Sequence, residues 1–255
     1  MKPIWIIAKN TFREIIRDRI LYGIVVFALL LFGLSLALGQ LSYAEQARIS
    51  ADFGFAGIQL GVSILAIFIG STLVAREIEK QTVLTLLARP VSRTQFLVGK
   101  FFGLSLVVAV VIAGLAAVLA GLLLMLELKI GAAFFIALLG VLLEALLLIA
   151  LALFFGSFSR PTMTVVFTAS FYLIGHWVSS LGFLLEKNNN PEFKTLASLV
   201  GKGVPDLEKF NWRSAPIYDL AVPFQEITVS VAYAAGWILL LLALTSFIFR
   251  RRDFV

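Results

Sequence analysis

The sequence has no cysteine, one histidine, and only 14% charged residues among its 255. Without cysteine there is no disulfide framework, thiolate nucleophile or cysteine metal site. A single histidine, His176, does not form a histidine metal cluster. An average soluble domain is about 25% charged, so the shortage of charge excludes an ordinary soluble or disordered chain. We expect no metal-binding residues.

Apolar residues make up 60% of the chain, and its mean hydropathy is +1.00. They cluster into runs of 18 or more, which are typical of membrane-spanning helices. We predict an all-α integral membrane protein with a single membrane domain over 1–255 and six spans. The spans cover about 20–39, 54–74, 101–126, 132–156, 162–184 and 227–249. The first run is longer than the apolar core of a signal peptide, so we expect it to be retained rather than cleaved.

Basic residues indicate the orientation of these spans. Fourteen lie on the face that carries both termini and seven on the other, five of them in the loop after the fifth span. By the positive-inside rule both termini are cytoplasmic. The net charge of +6 then reports loop topology, and we expect no nucleic-acid partner.

Three segments do not span. Residues 4–20 form a basic amphipathic helix of the kind that lies in the headgroup plane. Its interfacial tryptophan and basic face comprise Trp5, Lys9, Arg13 and Arg17. The alternative is a charged flank that only sets orientation.

Residues 75–100 are too polar to span and too patterned for a simple loop. A helix is predicted from Arg76 to Ala88, with Glu77 and Glu79 in its first turn, where the helix dipole favours acids. Pro90 ends it, and Ser92 with Gln95 fits a capping box for a new helix that enters the third span. Such an elbow could carry force from a cytoplasmic partner into two spans; the alternative is an interfacial hairpin without a partner.

Residues 185–226 lie on the outer face. Asn190, Pro191 and Glu192 fit a helix start, and a second segment carries Leu207, Phe210 and Trp212. One or two short helices on the outer leaflet are predicted, with a disordered connector as the alternative.

Catalytic motifs are missing. Gly99-Lys100 and Gly201-Lys202 both fail the phosphate-loop pattern, and neither a zinc-protease nor a serine-elbow motif occurs. We therefore expect no catalysis by this chain, and a lipid-modifying membrane enzyme is the weaker hypothesis.

Two polar residues fall inside predicted spans. Glu144 lies in the middle of the fourth span, where a charge is costly, so it is either protonated or paired within the bundle. A structural role and a transport role, in a secondary carrier coupled through Glu144, both remain open. His176 is either a packing residue or part of such a site. Gly99 and Gly103, four residues apart, would allow close approach of another helix.

The stretch from Ala75 to Arg93, AREIEKQTVLTLLARPVSR, resembles the cytoplasmic loop of type-2 ABC exporter permeases, most of all those of the multi-copper-enzyme-maturation group. Gln81 stands where many members have glycine. The resemblance implies that residues 76–90 form the coupling helix that contacts an ATPase. The implied contact residues are Arg76, Glu77, Glu79, Lys80, Thr82, Leu86, Leu87, Arg89, Pro90 and Arg93.

The same resemblance implies a permease homodimer in the bacterial inner membrane, paired with two ABC ATPase subunits that bind ATP and magnesium. It further implies export, or force transmission to a partner on the outer face at 185–226.

Overall fold

A computed structural model describes residues 2–17, 19–39, 46–79, 92–128, 130–187, 195 and 201–251. The regular structure of these residues is helical, which confirms the all-α class. The elements are α1 (Lys2–Ile16), α2 (Arg19–Gly39), α3 (Gln46–Glu79), α4 (Arg93–Met125), α5 (Ala132–Gly156), α6 (Pro161–Lys187), a 3-10 turn (Glu208–Phe210), α7 (Ser214–Tyr218) and α8 (Phe224–Arg251).

The six predicted spans coincide with the long helices α2 to α6 and α8. Four stretches in the described part of the chain are long and apolar enough to cross a membrane: Gln46–Leu73, Arg93–Met125, Ala132–Gly156 and Phe224–Phe249. A shorter apolar stretch, Leu21–Leu34, lies in α2. These helices support a multi-pass membrane protein, and the count of six stays a prediction.

The centre of the bundle is the pair α3 and α5. Helices α2, α4 and α6 pack on α3, and α4, α6 and α8 pack on α5. The segment of α5 from 147 to 153 is almost completely buried. A Cβ atom on Gly70 of α3 would lie only 2.8 Å from the Cβ of Ala152, so the two helices approach closely there. Close packing of this kind drives helix association in a bilayer, where lipid offers no hydrophobic advantage.

Helix α3 continues unbroken to Glu79. The prediction that a separate helix begins at Arg76 is therefore wrong, because α3 extends past the predicted span and through Arg76 to Glu79. Glu77 and Glu79 lie far from the N-terminus of their helix, so the predicted favourable interaction with the helix dipole does not arise.

The predicted capping box at the start of α4 is confirmed. The Gln95 backbone N–H donates to Ser92 Oγ, and the Ser92 N–H donates to Gln95 Oε1, each at a distance of 3.2 Å. Helix α4 has 33 residues and is about 50 Å long, against a hydrocarbon core of about 30 Å. Its first turns can therefore extend beyond that core.

Helix α1 docks on these first turns of α4. A Cβ atom on Gly99 would lie 2.8 Å from the Cβ of Ile7, and one on Gly103 would lie 2.6 Å from the Cβ of Thr11. Both contacts advance by four residues, so the helices run in the same direction where they touch. The Gly99 and Gly103 pair thus allows the predicted close approach, with α1 as the partner.

We predict that Gly103→Leu undocks α1, because the new side chain would meet the Thr11 side chain and the Ala8 carbonyl oxygen. Overpacking of this kind typically costs about 1–3 kcal/mol. The chain has no native cysteine, so Ile7→Cys provides a single reporter thiol at a position only 7% exposed. Maleimide should label this thiol faster in the Gly103→Leu background.

Gly114→Leu is the matched control, since nothing lies within 4 Å of a Cβ atom at Gly114 on the same helix. Equal labelling rates in the two backgrounds would contradict the docking.

Candidate functional site

Glu144 lies twelve residues from either end of α5, and its side chain is 1% exposed. Two side chains of α3 donate hydrogen bonds to its carboxylate. Gln59 Nε2 donates to Oε2 over 2.8 Å, and Ser63 Oγ donates to Oε1 over 2.9 Å. The sequence left open whether Glu144 is protonated or paired within the bundle. These bonds show that its carboxyl group faces the bundle interior and is paired there.

His176 of α6 lies beside the same carboxylate, with Nε2 3.8 Å from Glu144 Oε1. Its Nδ1 lies 3.0 Å from the carbonyl oxygen of Tyr172. A carbonyl only accepts, so Nδ1 carries the ring proton, and Nε2 of the neutral ring presents a lone pair. That lone pair faces the amide nitrogen of Gln59 at 3.5 Å.

We call Gln59, Ser63, Glu144 and His176 the intramembrane cluster. The amide of Gln59 has two hydrogens and so bridges the carboxylate and the imidazole. The arrangement therefore links side chains of three helices, α3, α5 and α6, inside the bundle.

The sequence singled out Glu144 and His176 separately and missed Gln59 and Ser63. A signal for the missed pair exists, because Gln59 and Ser63 are the polar side chains one helical turn apart in the predicted span 54–74. Periodicity does not say which helix this polar stripe faces.

The segment 204–218 differs from the predicted surface helices. Leu207, Phe210 and Trp212 are at most 5% exposed and pack into the bundle instead of lying on the leaflet. The carbonyl oxygen of Phe210 lies directly against Gly140, where a side chain would collide with it. Gly140 is eight residues into α5, so this segment reaches about 12 Å along the helix.

Irregular backbone is tolerated at such depth only when protein satisfies its polar groups. The N–H of Leu207 donates to the Gly175 carbonyl over 3.1 Å, and the N–H of Asp206 donates to the Tyr233 hydroxyl over 2.9 Å. Gly140 is one turn from Glu144, and Gly175 precedes His176. The segment therefore covers the intramembrane cluster from one end. The predicted helix after Asn190 lies outside the described residues, apart from Thr195.

The predicted ATPase-contact residues are only partly described. The backbone of Arg76, Glu77 and Glu79 belongs to α3. Arg93 donates from Nη1 to the carbonyl oxygen of Phe249 over 2.7 Å. The others lie outside the described residues: Lys80, Thr82, Leu86, Leu87, Arg89 and Pro90.

The hydrogen bond from Arg93 to Phe249 joins the start of α4 to the end of α8, and two further contacts join the same two helix ends. The hydroxyl groups of Thr94 and Ser246 are 2.9 Å apart, and the rings of Phe96 and Phe249 stack with centroids 6.3 Å apart. The carbonyls at a helix C-terminus have no partner within the helix, so the Arg93 guanidinium is well placed at Phe249. We call Arg93, Thr94, Phe96, Ser246 and Phe249 the α4–α8 junction.

On α1, the apolar side chains Ile7, Ala8 and Ile15 are buried against the bundle. The predicted interfacial residues Trp5, Lys9, Arg13 and Arg17 are exposed. Glu14 lies 3.8 Å from Lys100 of α4, whose side chain is 5% exposed. The amphipathic helix is thus present, ending at Ile16 rather than at 20, and its position in the headgroup plane stays a prediction.

A family model described as ABC-2 family transporter protein matches residues 5–254. The match includes the exposed face of α1, the intramembrane cluster and the α4–α8 junction. No curated protein matches the sequence significantly.

We predict that Ser63→Ala and Glu144→Gln are energetically coupled in the free energy of unfolding, because Ser63 donates to the carboxylate that Glu144→Gln replaces. Hydrogen bonds between membrane helices show coupling energies of about 0.6 kcal/mol, up to about 1.7. Denaturant titration of the single and double variants in detergent–lipid bicelles measures the coupling.

Ser105→Ala serves as the matched control, since the Ser105 hydroxyl bonds only the Phe101 carbonyl of its own helix. Ser105→Ala should add independently to Glu144→Gln. If Ser63→Ala did so as well, the Ser63 hydrogen bond would gain nothing from the carboxylate, since the amide oxygen of Glu144→Gln can still accept it.

Proposed function

Because the chain belongs to the ABC-2 family of transporter proteins, it is an ABC transporter permease, and we propose that separate ATPase subunits drive it. In this proposal two permease copies span the bacterial inner membrane with both termini in the cytoplasm, and two ATPase subunits supply ATP and magnesium chemistry. The complex exports a substrate or transmits force across the membrane. This chain itself performs no catalysis.

The α4–α8 junction is the observation that carries this proposal. The coupling segment 76–90, which the proposal assigns to ATPase contact, comes shortly before Ser92 and α4. A displacement of that segment would reach α8 through Arg93 and Thr94, since both bond residues near its end. It would reach α1 through the close contacts at Gly99 and Gly103.

Helix α3 offers the second route. It contains the first residues of the proposed contact, up to Glu79, and it carries Gln59 and Ser63, which donate hydrogen bonds to Glu144. Ser63 lies sixteen residues before Glu79, or about 24 Å along the axis. A shift of α3 would change these bonds and the contacts of α5 and α6 around them. The proposal thus links the ATPase contact to the middle of the bundle through one continuous helix.

Finer assignments extend the same proposal. The resemblance of residues 75–93 to the multi-copper-enzyme-maturation permeases supports that subgroup. Exposed apolar residues on the outer-side part of the chain, such as Tyr218, Leu220 and Phe224, offer a place for a partner at 185–226.

We expect the purified chain to hydrolyse no ATP, and Glu77→Gln with Glu79→Gln to uncouple the complex. Loss of these two acids removes two charges from the proposed contact with the ATPase. ATP hydrolysis by the reconstituted complex should no longer depend on the permease, while membrane insertion is unchanged.

Glu127→Gln with Asp219→Asn removes the same charge from two turns that do not belong to residues 76–93, and it should leave coupling intact. Normal coupling in the Glu77 and Glu79 variant would overturn the contact assignment.

A secondary carrier is the second candidate, favoured by an acid and an imidazole, Glu144 and His176, that lie 3.8 Å apart inside the bundle. A carrier requires Glu144, so Glu144→Gln should abolish proton movement in vesicles that hold the chain alone. The ATPase-driven proposal expects the Glu144→Gln complex to retain ATP-dependent function. Proton flux and ATP-dependent activity, measured on the same variant, separate the two candidates.

A further inference from the structure

An apolar groove opens beside the docked α1 helix. Its walls come from α1, α4 and α5, and its volume is about 570 Å³. On the α4 and α5 side the lining residues include Phe102, Leu106 and Leu146. The hydroxyl of Ser105, also in the lining, already donates to the Phe101 carbonyl over 2.7 Å. The body of the groove therefore offers no unsatisfied side-chain polar group among these residues.

Two cationic side chains stand at the α1 edge of this groove. Lys9 and Arg13 both line it and are both exposed. They are four residues apart on α1, and side chains at this spacing lie next to each other. No acidic residue is among the described residues that line the groove. The neighbouring acid, Glu14, is directed to Lys100 at 3.8 Å.

The docking of α1 determines where this cationic pair lies along α4. Ile7 lies against Gly99 and Thr11 against Gly103, so Lys9 and Arg13 stand beside the first turns of the apolar stretch of α4. Trp5, 66% exposed, lines the same edge. Tryptophan favours the boundary between headgroups and acyl chains, and basic side chains reach from there toward phosphate.

The groove continues away from α1 between α4 and α5. A second cavity, also about 570 Å³, shares Ala109 and Leu142 with the first. Its α4 wall reaches Ala120 and consists largely of alanines, which leave room for a slender apolar chain. From Ser105 to Ala120 the two cavities extend about 22 Å along α4. This length exceeds the thickness of one leaflet of the hydrocarbon core, which is about 15 Å.

We propose that this groove binds one anionic glycerophospholipid, with the headgroup phosphate between Lys9 and Arg13 and an acyl chain between α4 and α5. Charge complementarity selects this occupant. An apolar helix from a second copy would fill the alanine-lined part, but it would leave two cations beside hydrocarbon. A zwitterionic lipid fits the apolar part equally well and gains less from the cationic pair.

The test uses the purified full-length chain and native mass spectrometry with equimolar dioleoyl phosphatidylglycerol and dioleoyl phosphatidylcholine. The chain should retain the anionic lipid preferentially. Lys9→Gln with Arg13→Gln should lower that preference, by about fivefold for each side chain, since a basic residue at a membrane surface contributes about that factor. Ala109→Phe should reduce retention of both lipids, because it blocks the groove without changing charge.

Arg17→Gln is the matched control, because Arg17 is exposed on the same segment and does not line the groove. An equal loss of preference with Arg17→Gln would overturn the site in favour of general surface charge. Full competition by water-soluble glycerol phosphate would exclude the acyl-chain part. Conversion of dimers to monomers by Ala109→Phe, with lipid retention unchanged, would assign the groove to a second copy of the chain. None of these results depends on ATPase coupling.

Discussion

The buried carboxyl group of Glu144 constrains how the three central helices meet. A charge in the middle of a span costs about 2.5–3.5 kcal/mol on insertion scales, so its hydrogen-bond partners matter. Gln59 and Ser63 supply them from α3, and His176 lies beside them on α6. A rotation of α3 that turned Gln59 and Ser63 away from α5 would remove both donors at once. The cluster therefore favours one orientation of α3 relative to α5 and α6, around which the other helices pack.

Close backbone approach at glycines places the remaining elements on this centre. Gly140 and Gly175 admit the 204–218 segment, which covers the cluster, and a side chain at either position would collide with it. Gly99 and Gly103 admit α1 to the start of α4. In a bilayer such contacts count for much, because helices gain association energy from packing and hydrogen bonds rather than from leaving water.

These two sets of contacts tie the helices before and after residues 80–91 to the rest of the bundle. Helix α3 leads from the cluster to that segment, and α4 leads from it to α1 and, through the junction with α8, to the last helix. Helix α1 itself has two different sides, since one packs against α4 and the other bears the exposed residues Trp5, Lys9 and Arg13.

The sequence by itself determined the membrane class, the positions of the long helices and the capping box at Ser92, because apolar run length and local hydrogen bonding depend only on neighbouring residues. It also singled out Glu144, since an acid inside an apolar run is evident without a fold. Only the tertiary structure decided that His176 and Gln59 meet that acid, that Leu207 and Phe210 turn into the bundle, and that α1 docks at Gly99. These contacts join residues far apart in the chain, and helical periodicity gives the face of a helix without naming the helix it meets.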